Sequence, residues 1–150
     1  MLKGIDPLLN ADVLQALRAM GHGDDIALVD TNFPADSVAR ETVTGFPLRI
    51  DGVTAATTAR AILSVMPLDG FVDEPASRME VVGEPGKVLP VQTEVQAEID
   101  AAEGRSWPMG SIERFAFYER AKRAYAVVQT GERRFYGCFL FKKGVIPPPE

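Results

Sequence analysis

Apolar side chains recur at helical spacing in three stretches of the chain. They predict helices over residues 10–20, 54–66 and 91–102. Asn10 is a favourable N-cap for the first helix, and Pro67 ends the second because proline cannot continue a helix. In each stretch the apolar residues form one stripe, so each helix has one face to bury.

Apolar runs between turn residues predict strands. The clearest is "DIALVD" at 25–30, whose apolar interior is bounded by acids, as in a buried strand of an α/β sheet. Residues 46–50 and 134–146 are predicted as further strands, and residues 77–82 alternate only weakly before a turn-rich segment. Because strands alternate with helices, we expect α/β layers around one central sheet.

Residues 113–131 carry the strongest helical pattern in the chain. Phe117, Ala121, Ala124 and Val128 fall on one face, which predicts a single long helix. The stretch "AYAVVQ" within it is also compatible with a strand, so the end of this helix stays open between the two structures.

The length and composition are typical of one globular domain. The 150 residues are 46% hydrophobic and 25% charged, and no apolar run approaches the roughly 20 residues of a membrane-spanning helix. A net charge of −5 argues against nucleic acid and anionic membranes as main partners. The N-terminus lacks the long apolar core of a secretory signal, and one cysteine rules out an internal disulfide, so we expect a cytoplasmic protein.

Several cofactor-dependent chemistries have no motif in this sequence. There is no phosphate-binding loop, no dinucleotide fingerprint, no H-E-x-x-H and no C-x-x-C pair. One histidine and one cysteine do not favour a structural zinc site. The remaining chemistry is what a histidine, carboxylates, arginines and tyrosines can do without a metal or organic cofactor.

Two candidate catalytic residues flank the predicted strand at 25–30. His22, between two glycines, is accessible and can exchange a proton near neutral pH; the alternative is a loop histidine that favours the end of a helix dipole. Asp30 ends the strand, where ligands gather in α/β sheets; the alternative is a cap of the following loop.

Candidate binding residues lie in the second half of the chain. Arg114 and Tyr118 are four apart and share a helix face, although a solvated arginine beside a half-buried tyrosine has the same pattern. Tyr136 precedes Gly137, which lets a ligand approach the predicted strand; the alternative is an ordinary strand aromatic.

Five ordered blocks resemble the RbsD/FucU family, in its fucose mutarotase branch. They are "MLKGIDPLL", "MGHGDDI", "FPA", "RFAFYERAKRAYAVVQTGER" and a C-terminal segment ending in "KKGV". The resemblance implies a single-domain, three-layer α/β/α fold and ring-shaped homo-oligomers, commonly decamers, with sugar sites near subunit boundaries. It also implies interconversion of the anomers of a free monosaccharide, with no cofactor.

The resemblance also implies roles for individual residues. His22 resembles the catalytic histidine and Asp30 its partner, while Arg114 and Tyr136 resemble sugar-binding residues. Cys138 stands where the family usually has asparagine, and a thiol cannot supply the donor and acceptor of an amide. Strand alternation predicts that Cys138 and Tyr136 share a face, so Cys138 is a further candidate contact to the sugar.

Anomer exchange requires the sugar ring to open and close with proton transfer. We expect His22 to carry the main proton transfer, with Asp30 orienting it or binding a hydroxyl. Two alternatives stay open: a ribose-type pyranase, and a non-catalytic sugar-binding or transport-accessory protein.

Overall fold

One mixed six-stranded sheet with helices on both faces makes up the protein. The computed structural model describes all 150 residues. In chain order the elements are α1 (Ala11–Ala19), β1 (Asp25–Val29), α2 (Ala35–Ala39), β2 (Leu48–Ile50), α3 (Ala55–Leu63), β3 (Ala76–Met79), α4 (Pro90–Glu103), β4 (Gly110–Ile112), α5 (Arg114–Lys122), β5 (Ala126–Thr130) and β6 (Phe139–Lys142). No helix is long and apolar enough to cross a bilayer.

The strands are ordered β2-β5-β1-β6-β3-β4. β1 pairs in parallel with β5 and antiparallel with β6, so Leu28 faces Val128 on one side and Phe139 on the other. β2 is parallel to β5, β3 is antiparallel to β6, and β4 is parallel to β3. Every strand except β6 therefore runs in one direction, and the carboxyl ends of five strands share one edge with the start of β6.

Alternate side chains of the sheet build two cores. Ile26 and Leu28 of β1 belong to the core that packs under α1, α3 and α4. Ala27 and Val29 point the other way, into the core under α2 and α5. Helices thus cover both faces of the sheet, which confirms the predicted three-layer α/β/α fold.

The predicted amphipathic helices form close to their expected bounds. Asn10 caps α1 by accepting from the N–H of Val13, and Thr54 caps α3 by accepting from Thr57. α4 begins at Pro90, a residue favoured in the first turn because its missing N–H costs nothing there.

The prediction of one helix over 113–131 is wrong in its second half. α5 ends at Lys122, and Ala126–Thr130 form β5, as the alternative for "AYAVVQ" had it. Val127 and Val128 are fully buried on opposite faces of the sheet. Two adjacent valines bury more apolar surface in a central strand than on a helix with one buried face.

The last predicted strand is much shorter than 134–146. β6 begins only at Phe139, and residues 134–138 form a loop. Tyr136 breaks the extended conformation with a φ of 59°, and the prediction that strand alternation aligns it with Cys138 is therefore wrong. This loop instead delivers both side chains to one cavity.

Candidate active site

A cavity of about 220 Å³ opens at the carboxyl edge of the sheet. It is lined by Asp30, Asn32, Phe33, Met79, Arg114, Tyr118, Phe135, Tyr136 and Cys138. Five of the six predicted site residues are in this set. They meet because β1, β3 and β4 end at this edge while β6 begins there.

Asp30 is buried and organises the cavity. Its Oδ1 accepts hydrogen bonds from the N–H groups of Asn32 and Phe33, each at 3.0 Å. Its Oδ2 accepts from the N–H of Gly137 at 3.1 Å and from the thiol of Cys138 at 3.4 Å. The carboxylate therefore ties the loop after β1 to the loop before β6.

Cys138 lines the cavity as a protonated thiol. Its side chain is 2% exposed. Burial, and then the negative charge of Asp30, raise the pKa of the thiol well above its ordinary value. The sulfur is therefore a weak hydrogen-bond donor and not a nucleophile at neutral pH.

Tyr136 adopts a left-handed backbone that is uncommon for a bulky residue. Its hydroxyl accepts from the N–H of Val82 at 3.2 Å, and its carbonyl accepts from the amide of Gln92 at 3.3 Å. Gly137 follows because a Cβ there would lie 2.7 Å from a side-chain carbon of Glu132. These contacts hold the strained conformation, and strain of this kind is concentrated at functional sites.

Arg114 and Tyr118 form the opposite wall of the cavity. Nε of Arg114 donates to the Tyr118 hydroxyl at 3.0 Å, as their four-residue spacing predicts. This hydrogen bond is the main cause of the raised pKa of Arg114. The Tyr118 ring packs edge-on against Phe33, with centroids 5.2 Å apart. A fixed cation and a phenol thus face the loop of Tyr136.

An ion network around the buried Glu132, missed by the sequence analysis, supports the Tyr136 loop. Arg134 contacts Glu94 with two hydrogen bonds of 2.9 and 2.7 Å and Glu132 with Nε at 2.9 Å. Burial alone would raise the pKa of Glu132, but the bonds from Arg134 and from the N–H of Ala55 lower it to about 2. Because Glu94 and Ala55 belong to α4 and α3, the network anchors the loop to two helices, and no local pattern could reveal it.

His22 lies outside the cavity. It precedes β1 whereas Asp30 follows it, and five residues at about 3.3 Å each separate the two ends by roughly 16 Å. Asp30 therefore does not orient His22 within one chain, whereas the other predicted role of Asp30, binding a sugar hydroxyl, stays a prediction.

The carboxylate that contacts His22 is Asp69. Nε2 of His22 is 2.9 Å from Oδ1 of Asp69, which also accepts from the N–H of Phe71. Burial opposes ionisation of Asp69, but these two contacts outweigh it and lower its pKa. The His22 side chain is 44% exposed, and its ring lies 5.2 Å from that of Phe71. The pair joins residues 47 positions apart, for which the sequence has no local signal.

No group of three or more histidine, cysteine, aspartate or glutamate side chains is arranged to hold a metal ion. The arrangement at the cavity can bind hydroxyl groups and move protons. The partly exposed His22, paired with the buried Asp69, can move protons at the other edge of the sheet.

Known proteins resemble the chain over nearly all of its length. Human fucose mutarotase is 44% identical over 148 residues, which cover 97% of this chain and 94% of that protein. The solved Streptococcus pneumoniae fucose mutarotase in complex with L-fucose is 37% identical, with a TM-score of 0.85 and coverage of 97% and 100%. Protein Atu2016, a candidate sugar-binding protein, is 66% identical, with a TM-score of 0.96 and coverage of 98% and 97%.

The family model described as the RbsD / FucU transport protein family matches residues 3–146. Apart from the first two residues of the first block, the match includes every block on which the sequence resemblance rested, as well as all the residues that line the cavity. The chain therefore belongs to the RbsD/FucU family.

Proposed function

We propose that the protein is a mutarotase that interconverts the α and β anomers of a free monosaccharide, with a 6-deoxyhexose such as L-fucose as the preferred substrate. The observation that carries this proposal is the cavity itself. It combines a carboxylate, a guanidinium and two phenols with an apolar wall, in a volume smaller than the ~300–1,000 Å³ of drug-sized pockets. The fucose mutarotases among its relatives support the same activity.

Ring opening needs a base and an acid at the two oxygens of the anomeric carbon. The base takes the proton of the anomeric hydroxyl, the acid protonates the ring oxygen, and the bond between the anomeric carbon and the ring oxygen breaks to give the aldehyde. Rotation about the next carbon–carbon bond, followed by closure with the proton transfers reversed, gives the other anomer. Arg114, Tyr118 and Tyr136 bind and position the sugar hydroxyls in this scheme.

The apolar wall favours a sugar with a methyl group. Phe33, Met79, Phe135 and Cys138 line one part of the cavity and offer no strong acceptor for a hydroxyl. A hydroxymethyl group placed there would lose hydrogen bonds to water without replacing them, whereas a methyl group loses none. A 6-deoxyhexose is therefore favoured over a sugar with a hydroxyl at that carbon.

In this proposal His22 acts from a second copy of the chain. Within one copy it lies at the wrong edge of the sheet, and its Nε2 is engaged by Asp69, which leaves Nδ1 to face a ligand. Phe71 beside His22 and Phe135 and Phe115 beside the cavity are 77%, 72% and 64% exposed. A second copy that brings its His22 edge to the cavity edge would cover these rings.

Contact between two different edges of the chain is head-to-tail. Such interfaces close into rings when the rotation between copies allows it. The ring-shaped, commonly decameric, homo-oligomer predicted from the family resemblance has the symmetry that this contact requires. The subunit number and the cytoplasmic location stay predictions.

The direct test of the activity is saturation-transfer NMR on free fucose, ribose, galactose and rhamnose. We expect exchange between anomers to accelerate most for fucose. Acceleration confined to ribose would support a ribose-type pyranase instead. If sugars bind while every exchange rate stays at its buffer value, the protein is a sugar-binding protein, as the relationship to Atu2016 would favour.

Mixed oligomers test whether His22 acts across copies. His22→Gln and Asp30→Asn variants are each expected to be inactive. Co-expressed in equal amounts, they should recover about a quarter of wild-type activity, because about one site in four then combines an intact His22 with an intact Asp30 from different copies. If His22 acted on the cavity of its own chain, no site would be intact and no activity would return.

A further inference from the structure

Arg78 is the only buried cationic side chain in the protein. It is 8% exposed and belongs to none of the ion pairs. Its Nη2 donates to the carbonyl of Pro85 at 3.2 Å, while its Nη1 is buried without a partner. A guanidinium carries five N–H donors and stays charged, so this is an uncompensated buried charge.

A cavity of about 290 Å³ adjoins this guanidinium, and no acidic residue lines it. The lining residues are Arg78, Val88, Gln92, Thr93, Gln96, Pro108 and Met109. Arg78 shares a face of β3 with Ala76, a member of the core under α1, α3 and α4. The cavity is therefore on the other face of the sheet from the sugar cavity, whose wall includes Met79.

The field in this cavity favours a negative charge. Gln92 and Thr93 belong to the first turn of the 14-residue helix α4, where the helix dipole is positive. The amide of Gln92 is engaged by Leu89, Met79 and Tyr136. The amide of Gln96 is likewise engaged, by Asp100, Trp107 and Met109. Arg78 and the exposed hydroxyl of Thr93 are thus the groups free to receive a ligand.

We propose that this cavity binds a small oxyanion, a phosphate or carboxylate group, through Arg78. The planar guanidinium matches the geometry of both groups, and the bound charge would neutralise the buried cation. A free neutral sugar does not supply this charge, so the ligand is distinct from the sugar. Gln92 lines the anion cavity and also donates to the carbonyl of Tyr136, which places the ligand one side chain away from the sugar-binding loop.

Thermal unfolding with millimolar inorganic phosphate or acetate tests the proposal, with chloride at equal ionic strength as the reference. A ligand that binds only the folded protein raises its melting temperature, here by a few degrees near saturation. We expect such a rise with at least one anion, and the more effective anion identifies the phosphate or carboxylate class. No rise with either anion would overturn the proposal.

Three variants locate the effect. Arg78→Met removes the charge, and Thr93→Glu places a carboxylate at the rim that competes for Arg78; we expect neither protein to respond to the anion. Gln15→Glu adds the same charge on the exposed face of α1 and should respond like the wild type. If Arg78→Met does not fold, the test is the comparison of the anion-induced rise in melting temperature between Thr93→Glu and Gln15→Glu. An equal rise in Thr93→Glu and the wild type would overturn the proposal.

Discussion

The thiol of Cys138 donates to Oδ2 of Asp30 across 3.4 Å, the longest of the four hydrogen bonds that this carboxylate accepts. A carboxylate has about four acceptor positions, so the four donors of the chain occupy them all. A thiol is a weak donor, and its bond is the one that a sugar hydroxyl can replace. We therefore expect Cys138 to give up this position on Asp30 when a sugar hydroxyl binds there.

This relationship predicts opposite effects for two substitutions of Cys138. Cys138→Ala removes the competing donor, so sugar affinity should stay equal or rise up to about tenfold, the equivalent of one net hydrogen bond. Cys138→Ser supplies a stronger donor to Asp30 and should weaken sugar binding to a similar extent. Isothermal titration with fucose measures both. Weaker binding by Cys138→Ala than by Cys138→Ser would show that the sugar needs a donor at this position.

Asp30→Asn should affect both stability and catalysis. The amide NH₂ would face backbone N–H groups in place of an acceptor, which costs about 1–3 kcal/mol of unfolding free energy. Anomer exchange should fall by roughly 10²-fold or more, because the group that organises the cavity is lost. Asp36→Asn is the matched control, since Asp36 is exposed and pairs only with Arg40 on the surface. An anomer-exchange rate in Asp30→Asn equal to that of the wild type would show that Asp30 takes no part in the mechanism.

Tyr136→Phe separates sugar binding from folding. The lost hydroxyl leaves the N–H of Val82 free, but Val82 is 60% exposed and water can replace the bond. We therefore expect unchanged unfolding free energy and a loss of sugar affinity of a few-fold to about tenfold. Tyr125→Phe, which changes a tyrosine packed against the core on the other face of the sheet, should leave affinity unchanged. Equal affinities of the two variants would contradict a sugar contact by the Tyr136 hydroxyl.

The buried Glu132 predicts a specific loss of stability in acid. Its pKa in the folded protein, about 2, lies below the ordinary 4.5, so folding favours the ionised form. The resulting stabilisation is complete above about pH 4.5 and disappears as the pH falls toward 2, a change on the order of 3 kcal/mol.

Denaturant unfolding between pH 6 and 2 measures this contribution. Glu132→Gln lacks the titrating group, so its stability should be lower at pH 6 and decline less in acid than that of the wild type. Glu119→Gln changes an exposed carboxylate and should keep the wild-type pH dependence. Parallel pH profiles of Glu132→Gln and the wild type would show that folding does not lower the pKa of Glu132.

Most of the fold, and most of the residues that line the cavity, could be predicted from local patterns in the sequence. One-sided apolar patterns predicted α1, α3 and α4, and N-cap residues marked the starts of α1 and α3. Asp30 was recognisable because it ends a buried strand, and parallel strands bring such ends together. The stretch "AYAVVQ" was predicted as the end of a helix with a strand as the alternative, because two valines that are buried on opposite faces fit both a helix and a central strand.

The features that escaped prediction depend on contacts between distant parts of the chain. Asp69 meets His22 across 47 positions, and Gln92 meets Tyr136 across 44. Buried polar residues of this kind carry no periodic pattern, since each is held by one particular partner. The resemblance to the family implied a catalytic role for His22, which stays a prediction, but it could not show that β1 separates His22 from Asp30.

The separation of His22 and Asp30 by the length of β1 has a consequence for counting active sites. If each chain contributes one half of two different sites, an open row of copies always leaves one cavity without a histidine and one histidine without a cavity. Only a closed ring makes the number of working sites equal to the number of chains. A single damaged subunit can then silence two sites, and the specific activity should fall on dilution as rings open, although every chain remains folded.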